Sequence, residues 1–319
     1  VRSLLALPLF FLAASTALAQ AWPARPIRLV VPSAPGGTPD IQARIVANEL
    51  AKQLGQQVVV DNRAGASGIV GYEMIAKSAP DGYTIGYSAF TFITNPLTYS
   101  KLPYDSARDF QPLIRSVLGT NIMAVNPGMP VKTVRELIDL ARSQPGKLSY
   151  GGPGGGASQQ LSMELLKSMA GVQITQVYYK GMAQAIGDTI GGQIQVVTEN
   201  AASMLPHVVS GGRLRPIGVT GLKRVPAVPD IPTISEAALA GYEMAPSSGY
   251  MLPTGVPKPV AMRINAELNK ALKSPAFMDK VVPAGSTVTG GTPEEFAEHI
   301  RRETQKWGAV IKAAGIKAE

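Results

Sequence analysis

The chain has no cysteine and only two histidines in 319 residues. Without cysteine there is no disulfide framework, no thiolate nucleophile and no cysteine-held metal. A chain of this length buries enough apolar surface to fold without such staples. The histidines, His207 and His299, neighbour no serine motif, and both are expected as solvated or half-buried surface residues. No cluster of His, Asp and Glu has metal-ligand spacing, so neither metal nor cofactor is expected. Lysine and arginine outnumber aspartate and glutamate by 30 to 22, a formal net charge of +8. These cations are scattered, with no basic run and little aromatic interleaving, which argues against a nucleic-acid partner. Beyond the N-terminus no apolar run is long enough to span a bilayer.

The N-terminus itself reads VRSLLALPLFFLAASTALAQ. One positive charge, Arg2, precedes an uncharged apolar run from Leu4 to Leu18. The run ends in Ala17-Leu18-Ala19, a small-x-small cleavage pattern. Residues 1–19 are therefore expected to be a cleaved signal peptide of an exported protein.

Short β-branched runs bounded by Gly and Pro alternate with helical segments through the rest of the chain. IRLVV (Ile27 to Val31), QVVVDN (from Gln57), YTIGYS (from Tyr83), IMAVN (from Ile122) and KLSYG (from Lys147) read as strands. So do ITQVYY, IQVVTEN, RPIGVTG and GYMLP further on. Such runs, separated by helices, predict an α/β fold with mainly parallel sheets flanked by helices. Thr133 with Glu136, and Thr292 with Pro293 and Glu295, mark helix starts. The last helix spaces Phe296, Ile300, Trp307, Ile311 and Ala314 on one face, as a core-facing stripe. The middle of the chain has its own strand–helix alternation and its own glycine turn. Two lobes are expected, one from residues 20–120 and 246–319, the other from 121–245, with crossings near Gly119 and Pro246 and a ligand cleft between them.

Two glycine turns stand out. PSAPGGTPD, Pro32 to Asp40, follows a strand and opens a helix. The first N–H groups of a helix lack partners within it and carry the positive end of its dipole. Glycines let a ligand approach that backbone, which makes an anion site without a charged side chain. Thr38 is expected as the cap, Pro39 in the first turn, and Gly36 and Gly37 as the approach surface. Asp40 is expected to brace the loop or complement the dipole more than to touch the ligand. YGGPGGGAS, Tyr150 to Ser158, repeats the arrangement, with Gly154 and Gly156 for approach and the Ser158 hydroxyl at the helix start. A third turn, NRAGASGIVG from Asn62, reads equally as structural or functional, and its Arg63 as pairing with an acid of the fold or with the ligand.

Enzymatic motifs fail in detail. Gly152 to Ala157 matches G-x-G-x-x-A, but no acid lies about twenty positions on to hold a ribose. No phosphate loop occurs. GYSAF, around Ser88, has Phe90 where a nucleophile elbow needs glycine. The chain is poor in groups for proton transfer or attack and rich in backbone donors, which favours binding over catalysis. The alternative is an exported α/β hydrolase using Ser88 or Ser158.

The segments WPARPIRLVVP, APGGTPDIQAR, LGQQVVVDNRAGASG, SAPDGYTIGYS and LPYDSARDFQPL occur in that order. The long AVNPGMPVKTVRELIDLARSQPGKLSYG, then YYKGMAQAIGD, GVTGLKRVPAVPDIPTISEA and GTPEEFAEHI, follow. Together they resemble the Bug family, the periplasmic solute receptors of tripartite tricarboxylate transporters. The resemblance implies a monomeric two-lobe periplasmic receptor, without cofactor, that holds a small carboxylate in its cleft; the two anion-ready turns suggest a dicarboxylate. It implies delivery to a membrane permease by cleft closure. It maps the site onto Ala34 to Asp40, Gly151 to Gln160, Tyr179 and Asn200. The candidate ligand-binding set is thus Ser33, Ala34, Gly36, Gly37, Asp40, Ser88, Phe90, Gly154, Gly156, Ala157, Ser158, Tyr179 and Asn200, with no catalytic residue. Departures from the family pattern fall at Ser33 and Ser247, where aromatics are usual, at Ala157, which lacks a hydroxyl, and at Gln160, where histidine is usual. The two lost rings imply a larger or more polar pocket, with room for an aromatic acid.

Overall fold

The computed structural model describes residues 22–209 and 211–318. The expected signal peptide, residues 1–19, lies outside the described residues. Among the described residues no helix is long and apolar enough to cross a membrane. The strands are β1 (Ile27–Val31), β2 (Val58–Asn62), β3 (Thr84–Ser88), β4 (Phe110–Leu118), β5 (Asn121–Val125), β6 (Ser149–Gly152), β7 (Thr175–Tyr178), β8 (Val196–Asn200), β9 (Arg215–Val219), β10 (Ser247–Pro253) and β11 (Thr287–Gly290). The helices are α1 (Thr38–Leu54), α2 (Ile69–Ala76), α3 (Thr91–Thr98), α4 (Val134–Ser143), α5 (Ser158–Ala170), α6 (Met182–Ile190), α7 (Ala201–Val208), α8 (Ile234–Ala237), α9 (Lys258–Leu272), α10 (Pro275–Val281) and α11 (Pro293–Ala313).

The strands form two sheets, ordered β11-β4-β10-β3-β1-β2 and β7-β6-β8-β5-β9. This is the expected α/β architecture, with one correction. β1 pairs with β2 and β3, and β6 with β7 and β8, in parallel. β10, however, is antiparallel to both β3 and β4, and β5 to both β8 and β9. Each sheet therefore has a reversed strand inserted among strands of common direction, and in the first sheet the edge strand β11, antiparallel to β4, runs the same way as β10. β5 and β10 are the strands that follow the two crossings between sheets, so each enters from the opposite end. Apolar content alone does not carry that direction.

β4 and β11 escape the sequence reading for local reasons. β4 contains Pro112 and Arg115, and its ladder with β10 shifts register at Ser248/Gly249 and Tyr250/Met251. β11 is a four-residue polar strand at the sheet edge. Pairing against β10, rather than propensity, holds β4 in place.

One face of the first sheet packs on α1, α9 and α10 through Val46, Leu50, Ile264, Leu268 and Phe277. Its other face is closed by Tyr72, Phe92, Tyr104 and Phe110, whose rings meet edge to face at 4.9–5.9 Å. The second sheet has α4 and α5 on one side and α6 and α7 on the other. The sheets connect at residues 119–120 and again just before β10, where the Gly119 N–H donates to the Pro246 carbonyl at 2.8 Å. α11 makes a third link. Phe296 packs near Gly249 of β10, while Trp307 and Ile311 join the core of the second sheet.

Thr292 and Glu295 form a reciprocal capping box, as the sequence predicts. At Thr133 only half of one forms: its hydroxyl accepts the Glu136 N–H, but the Glu136 carboxylate accepts from Lys132 instead. Ala314 is exposed and lies just past the end of α11, so the apolar stripe stops at Ile311. His299 also departs from expectation. It is 4% exposed, stacked by Phe296 and bonded through Nδ1 to Arg115 at 2.9 Å. Burial, reinforced by Arg115, Arg302 and Lys306, lowers its pKa to about 4.

Gly249 is a point of close contact between α11 and the first sheet. A Cβ there would collide with the Ile114 carbonyl and the Phe296 ring. Gly249→Ala should therefore destabilise the protein by about 1–3 kcal/mol, the usual cost of overpacking a core. Urea unfolding, read as a lower midpoint at unchanged slope, checks this.

Candidate functional site

α1 starts directly from the first glycine turn. Its N-cap is Gly37, in extended conformation, and no side chain caps it. Thr38, expected as the cap, occupies the first helical position instead, because the chain turns one residue earlier at Gly36, where φ is +83°. The Gly36 N–H donates to Asp40 Oδ2 at 2.8 Å, and Arg44 Nε approaches the same carboxylate at 3.0 Å. Burial pushes the Asp40 carboxyl up, but bonds from Arg44, Gly36 and Asn62 outweigh it and hold the group below its ordinary value. Asp40 is 3% exposed and braces the turn from behind.

The second turn is built the same way. α5 has Ala157 as its N-cap, again with no side-chain cap. The Gly156 N–H donates to the side chain four residues on, Gln160 Oε1, at 2.9 Å. Gln160 Nε2 in turn donates to Gln176 Oε1 at 2.9 Å. The brace is a carboxylate at one turn and a neutral amide at the other. In both, it ties down a loop amide and leaves the first helical amides without a side-chain partner.

Both helix starts open on one cleft of about 330 Å³. The first sheet supplies Gly37, Thr38, Pro39 and Gln42 of α1, then Tyr87, Ala89, Phe90 and Thr91 around α3, and Ser247 and Ser248 of β10. The second supplies Ala157, Ser158 and Gln159 of α5, with Glu199, Asn200 and Ser203 at the start of α7. The N-terminal turns of α1, α3, α5 and α7 thus share one cavity, and their dipoles add there. Among the described residues no lysine, arginine or histidine lines it.

Hydroxyls and amides finish the wall. Tyr87 donates to Gln42 Oε1 at 2.8 Å, and Ser248 reaches the same oxygen at 3.4 Å. Burial pushes the Tyr87 phenol up, so it stays neutral at any physiological pH. Ser158 Oγ has Asn121 Nδ2 at 3.4 Å and Gln159 Oε1 at 3.3 Å. Glu199, 6% exposed, accepts the Asn200 N–H at 2.6 Å and Gln159 Nε2 at 3.1 Å. Burial raises its pKa, and those two bonds offset this only in part.

Of the residues expected from sequence, Gly37, Phe90, Ala157, Ser158 and Asn200 meet on this wall, as does Ser247. Gly36 and Asp40 stand behind it; Ser33 O accepts from Asn62, and Ala34 is exposed on the loop. Ser88 is buried in β3 opposite Gly249. Gly154 faces Tyr178, and Gly156 packs on Thr94 and Thr98 of α3, where the two halves of the molecule touch. Tyr179 points away, donating to Asp188 at 2.7 Å. The third turn does not line the cleft; its Arg63 pairs with Asp61 at 2.9 Å, an acid of the fold.

Sequence reading missed Gln42, Tyr87, Ser248 and Glu199; Gln159 lies within the Gly151 to Gln160 range that the resemblance mapped. Glu199 did carry a signal, a charged residue ending an otherwise buried strand. Gln42 and Tyr87 carried none, because a polar tip on a core position is visible only once its neighbours are known. Neither histidine lines the cleft, so no imidazole stands beside Ser158.

Comparison with known proteins agrees with this architecture. The family model described as the tripartite tricarboxylate transporter family receptor, TctC, matches residues 42–316. Protein BugT of Bordetella pertussis is 32% identical over 303 residues, covering 94% of this chain and 92% of that one. The structure of R. palustris Rpa4515 with adipate superposes at a TM-score of 0.84, with 36% identity over 93% of this chain and 99% of that one. MatC of Rhodopseudomonas palustris with bound malate superposes at 0.79, with 27% identity over 91% of this chain and 100% of that one. With the family model spanning most of the chain and relatives matched over nearly their whole length, this protein belongs to the tripartite tricarboxylate transporter family of receptors, alongside the Bug proteins.

Proposed function

We propose that the protein is a periplasmic receptor that holds a small carboxylate in its cleft and presents it, as a monomer, to a membrane permease. One observation carries this reading: uncapped helix starts from both halves of the molecule face one cavity that, among the described residues, has no cationic side chain. Backbone amides and hydroxyls then do what lysine or arginine does elsewhere. A hydrogen bond to a charged group contributes about 1.5–3 kcal/mol, and a helix terminus about 0.3–1 kcal/mol. Micromolar binding needs about 8 kcal/mol. Contacts from one half fall short of that, and contacts from both reach it after the cost of ordering.

The ligand therefore favours the state in which both halves touch it. The moving units are residues 20–120 with 246–319, and residues 121–245. The paired crossings at Gly119 and Pro246 supply a short hinge, and α11, rooted in both cores, limits its range. The relatives bound to adipate and malate make a linear dicarboxylate the first candidate, and small Ser247 leaves room for a longer or aromatic acid. A hydrolase would need a base beside Ser158, where Asn121 and Gln159 stand instead.

A thermal-shift screen with adipate, malate and aromatic acids should show a concentration-dependent rise in Tm; no shift with any of them would overturn the assignment. Ser158→Ala should weaken the preferred acid about tenfold or more, from loss of one bond to a charged group. Ser247→Trp should fill the cleft, abolishing binding of adipate before that of malate, as calorimetry with both acids would reveal.

A further inference from the structure

Glu199 is an unusual wall residue for an anion site. Among the described residues the only other ionisable group lining the cleft is the Tyr87 phenol, which stays neutral. Asn200 N–H and Gln159 Nε2 each bond one Glu199 oxygen. A carboxyl oxygen accepts two bonds, so one position on each remains open.

The charged groups on the elements packed around Glu199 are engaged elsewhere. On α5, Glu164 takes bonds from Tyr150 and Lys167. On α6, Asp188 accepts from Tyr179. Across the cleft, Asp40 and Arg44 of α1 pair with each other. β5 carries no ionisable side chain, β6 carries only Tyr150, and His207 sits in the last turn of α7, at the end opposite Glu199. Among the described residues no cation neutralises Glu199. Burial is the largest influence on it, and no charged neighbour contributes.

A ligand carboxylate entering this cleft meets a second carboxyl in the same desolvated space. Two such groups do not both stay ionised at short range; one takes a proton and donates it to the other. We infer that Glu199 takes up one proton from solvent as the ligand binds and donates it, as an O–H hydrogen bond, to the ligand carboxylate. The only bond formed is that O–H; on release the proton returns to water. Capture is then linked to pH, and the complex carries one proton more than its separated partners. This rests on the carboxylate reading of the cleft.

Calorimetry with adipate tests it, in two buffers of different protonation enthalpy at about pH 7.5, where free carboxylic acids of ordinary pKa are ionised. The wild-type protein should take up close to one proton per adipate, and its affinity should fall by up to about tenfold per pH unit on the alkaline side. Glu199→Gln, which keeps the shape but cannot exchange a proton, should bind without proton uptake and with flat pH dependence. Adipate binding to the wild type with no proton uptake, or a pH dependence that survives in Glu199→Gln, would overturn the inference while leaving the receptor assignment standing. If neither adipate nor any other small acid binds, the carboxylate reading fails and the inference falls with it.

A ligand-free measurement checks the premise. A carboxyl whose folded pKa is raised costs nothing below its ordinary 4.5 and destabilises progressively as pH rises through the folded value. The Tm advantage of Glu199→Gln over wild type should therefore grow with pH from the mid-acid range upward. An advantage equal at every pH would show that Glu199 ionises freely in the folded protein.

Discussion

The backbone amide at a helix start is the interaction on which this molecule turns. Each such group must find an acceptor, and here side chains decline to supply one at α1 and α5. What the side chains do instead is hold the loops before those helices. Asp40 and Gln160 each take the N–H of the glycine four residues earlier. The ligand-facing amides are thereby fixed in direction and left open, so little reorganisation is needed when an anion arrives.

That arrangement depends on the way the two sheets exchange strands. β10 returns from the second half of the molecule and is wedged between β3 and β4, bringing Ser247 and Ser248 to the cleft wall. β5 leaves in the opposite direction and pairs with β8, whose end carries Glu199 and Asn200. The crossings thus line the cavity, where the proposed hinge rotation would change the separation of its walls most directly. α11 moderates this by anchoring Phe296 in one core and Trp307 in the other.

Electrostatically the cleft is selective through restraint. A lysine or arginine would attract every anion at long range, and salt would screen it. Dipoles and hydroxyls act only at contact, so shape and hydrogen-bond count decide what stays. The buried Glu199 carboxyl, if it takes up a proton as proposed, would sharpen this by penalising any guest that cannot accept a hydrogen bond from it.

Much of this was readable in the linear order of residues. Glycine turns ahead of helices, the Thr292 capping box, the strand cores and the order of segments all rest on interactions within four or five residues, and spacing alone displays those. The cap at α1 was misread by one residue, because Thr38 and Gly37 compete for the position and only the φ of Gly36 settles it. Residue identity could not tell that β10 and β5 run against their neighbours, that Gly156 and Tyr179 face away from the cavity, or that His299 is buried. Nor could it bring Gln42, Tyr87, Ser248 and Glu199 to one cleft. Those facts come from pairings between residues far apart in the chain, where burial and partner, not sequence neighbourhood, set which way a side chain points and how readily it gives up a proton.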